Sequence, residues 1–289
     1  MRRFDTVVVV DWSARSVPSP ARPAKDAIFL GIARNGREEV LYSRTRAEAM
    51  HGLADLLGDE LAAGRRVLAA FDFPFAYPAG FARALTGGDA ALGLWANLAR
   101  MVEDDDRNRS NRFDVAARLN ALFDDAGPFW GHPVGREVPG LPFRKPAYTA
   151  FPFAERRRIE TLIPRAKTCF QLMGAGSVGS QALLGIARLE ALRDRFGAAV
   201  SVAPFEPPDT PVVLAECYPG LFADAIAARR LDGEIADRAQ VRIVAAALSR
   251  LPPARLDALL REGDAVEGWI LGQGAADELT AALDRSLQV

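Results

Sequence analysis

Residues 5–12, Asp-Thr-Val-Val-Val-Val-Asp-Trp, constrain this chain more than any other stretch. Consecutive β-branched side chains are stiff at χ1 and favour an extended backbone. With no polar position in alternation, the run suits a strand covered on both faces at the centre of a sheet. It ends in an acid, Asp11. Two further apolar runs close the same way: Arg66-Val-Leu-Ala-Ala-Phe71 is followed by Asp72, and Pro211-Val-Val-Leu-Ala-Glu216 finishes on its own carboxylate.

The segments between these runs set the order of elements. Ala27–Ile32 and Glu39–Tyr42 read as two strands joined around Asn35-Gly36, a dipeptide that accepts the positive φ of a tight hairpin. Residues 45–63 carry Ala49, Leu53, Leu56, Leu57 and Leu61 at helical spacing, and Gly64 supplies a stop. From about 78 to 165 the pattern turns irregular, with short helices near 89–103 and 112–122. A Pro/Gly/aromatic loop spans Gly127–Phe153, and a loop that long inside a compact domain points to function or a lid. A helix over 180–195, the strand ending at Glu216, and helices over 220–230, 234–250, 254–261 and 275–286 complete the chain. With no repeat or linker, the sequence predicts one domain over 1–289 with an insertion at about 78–165. Strand, hairpin, helix, strand, helix, strand, helix is the order of the ribonuclease-H-like fold. The expected fold class is therefore α/β, a mixed five-stranded sheet of order 3-2-1-4-5 flanked by helices, with the insertion after strand 4.

In such a sheet the sites lie at the carboxyl ends of the parallel strands, so Asp11, Asp72 and Glu216 are expected to converge. Clustered carboxylates repel and raise one another's pKa unless a cation relieves them, and hard divalent ions take oxygen ligands. These three acids are the candidate ligands for Mg²⁺ or Mn²⁺. Asp237, at the start of the 234–250 helix, is a fourth catalytic candidate. The chemistry such a group supports is phosphodiester cleavage. The competing reading of each acid alone is a cap for the turn or helix that follows its strand.

Substrate contacts are expected from Ser13 and from the arginines of Glu103–Arg112, of which Arg109 and Arg112 are the chosen pair for gripping a phosphate. Gly174-Ala-Gly176-Ser177-Val-Gly179 matches a dinucleotide-binding spacing, but no acid ends a second strand about 20 positions on. A loop offering backbone N–H groups and the Ser177 hydroxyl to a phosphate is the better use of Gly176 and Ser177. Arginine abundance is no argument by itself: only Lys25, Lys145 and Lys167 among the 36 basic residues are lysine, a bias that a GC-rich genome would produce.

The balance of 36 basic against 37 acidic residues gives a net charge of −1, which argues against coating a long polyanion. It cancels unlike regions: residues 130–167 hold eight Arg/Lys against three Asp/Glu, and residues 206–289 eight against fourteen. A basic, aromatic insertion over an acidic centre suits a small or short phosphorylated substrate, a nucleotide or short nucleic acid. Cys169 and Cys217 are too few for a disulfide framework, and the apolar N-terminal run is too short to span a membrane, so the setting expected is cytoplasmic, with no membrane partner.

Several motifs together resemble a known family. Val-Val-Asp-Trp-Ser-Ala (9–14), Phe-Asp-Phe-Pro-Phe (71–75), Asn-Arg-Phe-Asp-Val-Ala-Ala (111–117), Gly-Pro-Phe-Trp-Gly (127–131), Gly-Ala-Gly-Ser-Val-Gly-Ser-Gln (174–181), Pro-Phe-Glu (204–206), Glu-Cys-Tyr-Pro (216–219) and Glu-Gly-Trp-Ile (267–270) look like the bacterial family called domain of unknown function 429. The resemblance implies a ribonuclease-H-like fold and a nuclease-type site at Asp11, Asp72 and Glu216, without a demonstrated reaction. It departs at the late helix, where Asp237-Arg-Ala-Gln240 replaces an Asp-Ala pattern. The function expected is a divalent-metal-dependent phosphodiesterase or nuclease. The alternatives are an actin-like nucleotide-binding phosphotransferase, or a non-catalytic binding module whose acids are caps.

Overall fold

The computed structural model describes residues 3–124 and 126–284. Six strands form one mixed sheet: β1 (Thr6–Asp11), β2 (Ile28–Arg34), β3 (Arg37–Ser43), β4 (Val67–Phe71), β5 (Val200–Val202) and β6 (Val212–Glu216), in the order β3-β2-β1-β4-β6-β5. β1, β4, β6 and β5 run parallel, while β2 is antiparallel to both of its neighbours, β1 and β3. The expected sheet had five strands. The sixth, β5, sits at the edge beside β6 and has only three residues, too few for a periodic signal. Asn35 and Gly36 both take positive φ, 50° and 74°, so the hairpin between β2 and β3 turns where the sequence predicts.

Ten α-helices accompany the sheet among the described residues: α1 (Arg46–Ala62), α2 (Phe81–Thr86), α3 (Ala91–Met101), α4 (Arg112–Asn120), α5 (Arg158–Thr161), α6 (Gly179–Phe196), α7 (Ala223–Arg229), α8 (Ala236–Arg250), α9 (Pro253–Arg261) and α10 (Ala276–Leu283). Residues 285 and 286 of the expected last helix lie outside the described residues. α2 and α5, both short, went unread in the irregular stretch.

The β1 valines divide between two cores because strand side chains alternate. Val8 and Val10 join Leu30, Ala69, Phe71 and Leu214 under α1, α3 and α6. Val7 and Val9 join Phe29, Leu68, Ala70, Val213 and Cys217 under α8, α9 and α10. This is why the run lacks polar alternation. The two ends of the Gly127–Phe153 segment are packed, with Phe129 and Phe153 meeting Phe81 and Phe170 at ring-centroid distances of 5.2–5.7 Å, while Val134 and Phe143 between them are exposed. Phe129 is fully buried, so the Gly127-Pro-Phe-Trp-Gly131 motif serves packing.

α8 crosses the β1–β2 surface at close range. A Cβ placed on Gly31 of β2 would stand 2.3 Å from the Val241 carbonyl oxygen, so only glycine lets the helix settle there. That contact fixes where the first turn of α8, and hence Asp237, arrives.

Candidate functional site

Register decides which acids can share a site. Val10 pairs with Phe71, and Phe71 with Glu216. One residue further on, the Asp72 N–H donates to the Val10 carbonyl (3.0 Å) and the Cys217 N–H to the Phe71 carbonyl (2.9 Å). Asp11, Asp72 and Cys217 are thus equivalent positions on three neighbouring strands and share the α8 face. α8 brings Asp237 to that face, and the Asp237 Oδ2 accepts the backbone N–H of Asp26 at 2.7 Å.

The electrostatics follow from this arrangement. Burial, then the charges of Asp72, Asp237 and Asp26, hold the Asp11 carboxyl well above the ordinary carboxylate range. Burial, followed by Glu216 and Asp237, pushes Asp72 up to about 7. All these influences raise the two acids: among the described residues neither carboxylate accepts a hydrogen bond or faces a cation close enough to lower it. Asp11 and Asp72 are half-buried, and the acids buried more deeply differ from them. Glu60 is held by Thr6, Arg34 and Arg65, Glu234 by Arg238 and Arg242, and Glu267 accepts the N–H groups of Ala79 and Arg158. No group of three or more His, Cys, Asp or Glu among the described residues is arranged to hold a metal ion by protein ligands alone. Burial, Asp72, Glu216 and Asp11 together push the Cys217 thiol up, keeping it protonated.

Glu216 takes a different place from the one expected. Its register position turns it to the opposite face, where the fully buried Arg157 meets it with two bonds: Nη2 to Oε1 at 2.6 Å and Nη1 to Oε2 at 2.7 Å. The Phe75 N–H adds a third bond to Oε2 at 3.0 Å. Arg157 also donates to Glu160 (2.8 Å) and to the Glu267 carbonyl (3.1 Å). Glu216 is therefore paired as a counter-ion that ties the insertion to β6, with one hydrogen bond to Oε1 and two to Oε2. Neither the strand pattern nor the acid's position in it distinguishes this from a ligand. The missing signal was an arginine 59 residues upstream inside an irregular stretch.

The substrate candidates separate likewise. Ser13 is buried and spends its hydroxyl on the Asp26 carbonyl (2.8 Å), tying the loop after β1 to the start of β2. Arg109 is exposed and pairs with Asp105 at 2.6 Å. Arg112 is buried, and its Nε, Nη1 and Nη2 donate to the hydroxyls of Ser180, Ser110 and Ser16 at 3.1, 2.9 and 3.0 Å. Gly176 takes φ 69° in an exposed loop, and the Ser177 N–H closes a turn on the Gly174 carbonyl (3.1 Å). An isolated bridge, Trp130 to Gln171, precedes that loop in place of a strand, so the dinucleotide-binding context is missing. Asp26, exposed with φ 58°, joins the acidic group although it ends no apolar run, which is why the sequence pattern missed it.

No helix of the described residues is long and apolar enough to cross a membrane. No protein-family model, curated protein or solved structure matches this chain.

Proposed function

We propose that this chain is a divalent-cation-dependent phosphodiesterase or nuclease-type hydrolase of the ribonuclease-H-like class, acting on a nucleotide or short nucleic acid. The reading rests on one observation: Asp11 and Asp72, side by side at the carboxyl ends of parallel β1 and β4, raise each other's proton affinity while the described residues around them supply neither a hydrogen bond nor a cation that lowers it. Leaving two such groups together in a largely buried position costs stability unless something positive joins them. The donor set fits Mg²⁺ or Mn²⁺, since Mg²⁺ commonly binds through one or two carboxylates, several waters and substrate phosphate oxygens rather than a full protein cage. When bound there, such an ion would supply charge for a developing phosphoryl transition state and a more acidic water.

The chain's own residues have separable roles. Asp11 and Asp72 hold the cation. Asp237, oriented by the Asp26 N–H, adds a third charge from the α8 side and positions a solvent molecule near the phosphate. Glu216 and Arg157 keep β6 and the insertion in place behind them. The resemblance of residues 9–14 and 71–75 to domain of unknown function 429 agrees with this assignment of Asp11 and Asp72, and two buried free thiols suit a cytoplasmic setting.

Calorimetric titration with Mn²⁺ tests the reading, followed by hydrolysis assays on short oligonucleotides and a chromogenic phosphodiester. Saturable Mn²⁺ binding that disappears in the double variant Asp11→Asn/Asp72→Asn is expected, together with loss of any cation-dependent turnover. Equal binding or turnover in that variant overturns it.

A further inference from the structure

The Glu216-Cys-Tyr-Pro219 motif holds a further side chain that the acidic centre leaves unused. Cys217 is level with Asp72 across β6 and β4, so Tyr218 stands one residue beyond that carboxylate at the same end of the sheet. Its backbone is still extended, at φ −141° and ψ 101°, before Pro219–Phe222 forms a 3-10 turn. The chain changes sides there: Tyr218 packs against Ile159 and Ile163 of the insertion, whereas Phe222 joins the core under α8. Tyr218 is therefore at the crossing, over the carboxyl ends of the strands. Gly220 fixes its ring, since a Cβ at that position would stand 2.5 Å from the ring Cζ and 2.8 Å from the hydroxyl oxygen. Tyr218 is half-buried, and its hydroxyl has no hydrogen-bond partner among the described residues. Burial and then the charge of Asp72 push its pKa up while Arg165 opposes them, so both groups lie within electrostatic reach of this one oxygen.

Arg165 arrives from the insertion. Ile163 and Ala166 belong to the cluster that holds Tyr218, and the Ala166 N–H closes a turn on the Ile163 carbonyl at 3.0 Å, with Pro164 and Arg165 at its tip. Arg165 is exposed, and no carboxylate or other acceptor among the described residues engages its guanidinium. Nor is it among the charges that act on Asp11 or Asp72. It is thus no counter-ion of the acid pair. It is an uncommitted cation beside an uncommitted hydroxyl, at the sheet end where the acids lie.

We propose that Arg165 and Tyr218 form the phosphate clamp of the candidate site, the guanidinium and the phenol O–H donating to oxygens of the substrate's phosphoryl group. A guanidinium presents paired donors to a phosphate, and the phenol adds one more from a ring held in place. The clamp deepens the hydrolase reading and rests on it for the identity of the anion.

The test is fluorescence anisotropy with a labelled thymidine pentanucleotide, on the Asp11→Asn/Asp72→Asn variant in EDTA, where neither repulsion by the two acids nor a cation intervenes. Saturable binding is expected, weakened about tenfold or more by adding Arg165→Met and about two- to tenfold by adding Tyr218→Phe. Tyr218→Phe keeps the ring, so Tm should stay that of the parent and the loss reads the hydroxyl alone. Arg37→Met controls for general charge: it removes an exposed arginine that pairs with Arg34 at the opposite end of the sheet, and should leave binding within about twofold because a distant exposed charge is screened. No saturable binding, unchanged binding in Arg165→Met or Tyr218→Phe, or an equal loss in Arg37→Met would overturn the clamp. Mn²⁺ titration of the wild type is read separately, and absence of binding there with the clamp results as expected would overturn the hydrolase reading alone.

Discussion

Replacing Glu216 by Gln separates a structural counter-ion from a metal ligand, and Arg157→Met calibrates it. Arg157 is fully buried between two carboxylates that are 2% exposed, Glu216 and Glu160. Removing the guanidinium strands both acids away from water with no compensating charge. Breaking a buried pair in this way costs about 3–5 kcal/mol, and for a chain of this size each kcal/mol lowers Tm by roughly 2–4 °C. Arg157→Met should therefore lower Tm by roughly 10 °C or more. Glu216→Gln is milder, because the amide oxygen still accepts from the Phe75 N–H or from Arg157, and Arg157 keeps Glu160. A loss of about 1–2 kcal/mol is expected, the usual size for a charge-assisted bond weakened to a neutral one. Differential scanning fluorimetry with and without Mn²⁺ reads both quantities. Glu216→Gln should melt earlier while keeping the Mn²⁺-induced rise in Tm of the wild type. A variant of unchanged or raised Tm that no longer responds to Mn²⁺ would return Glu216 to the metal site and refute its assignment as a counter-ion.

Asp72→Asn should do the reverse: in EDTA at pH 8 it removes a buried, uncompensated charge and raises stability by about 1–3 kcal/mol, measured by urea unfolding; an equally or less stable variant contradicts the electrostatics described. Acid lability should come from Glu60 and Glu234, both lowered from 4.5 to about 2, the first by Arg65, Arg34 and Thr6 overcoming its burial, the second chiefly by Arg242. Their stabilisation is complete above the unfolded-state pKa and lost as pH falls from 4.5 toward 2; partly exposed arginines limit it to about 1–2 kcal/mol each, so Glu60→Gln/Glu234→Gln should flatten the fall of the urea midpoint across that window. Gly31→Ala should cost about 2–4 kcal/mol, because the new methyl overlaps the Val241 carbonyl and α8 must lift from β2. The same variant should weaken Mn²⁺ binding through Asp237, and unchanged stability would mean that α8 accommodates the methyl.

What the sequence made legible was whatever depends on local periodicity and end chemistry. The β1 valines, the Asn35-Gly36 turn, the Gly64 stop and the acids that follow β1 and β4 are each set within a few residues, and each appears where the pattern puts it. The partition of the acids was not legible, because it depends on parity and on distant cations. Asp72 lies one residue beyond the register partner of Glu216, and that single step sends the two carboxylates to opposite faces of the sheet. Arg157, Arg46 and Arg112 looked alike in a chain with 33 arginines, yet the fold gives them two carboxylates, one shared carboxylate and none. Counting arginines could not have sorted them, since the difference lies in what each meets after burial.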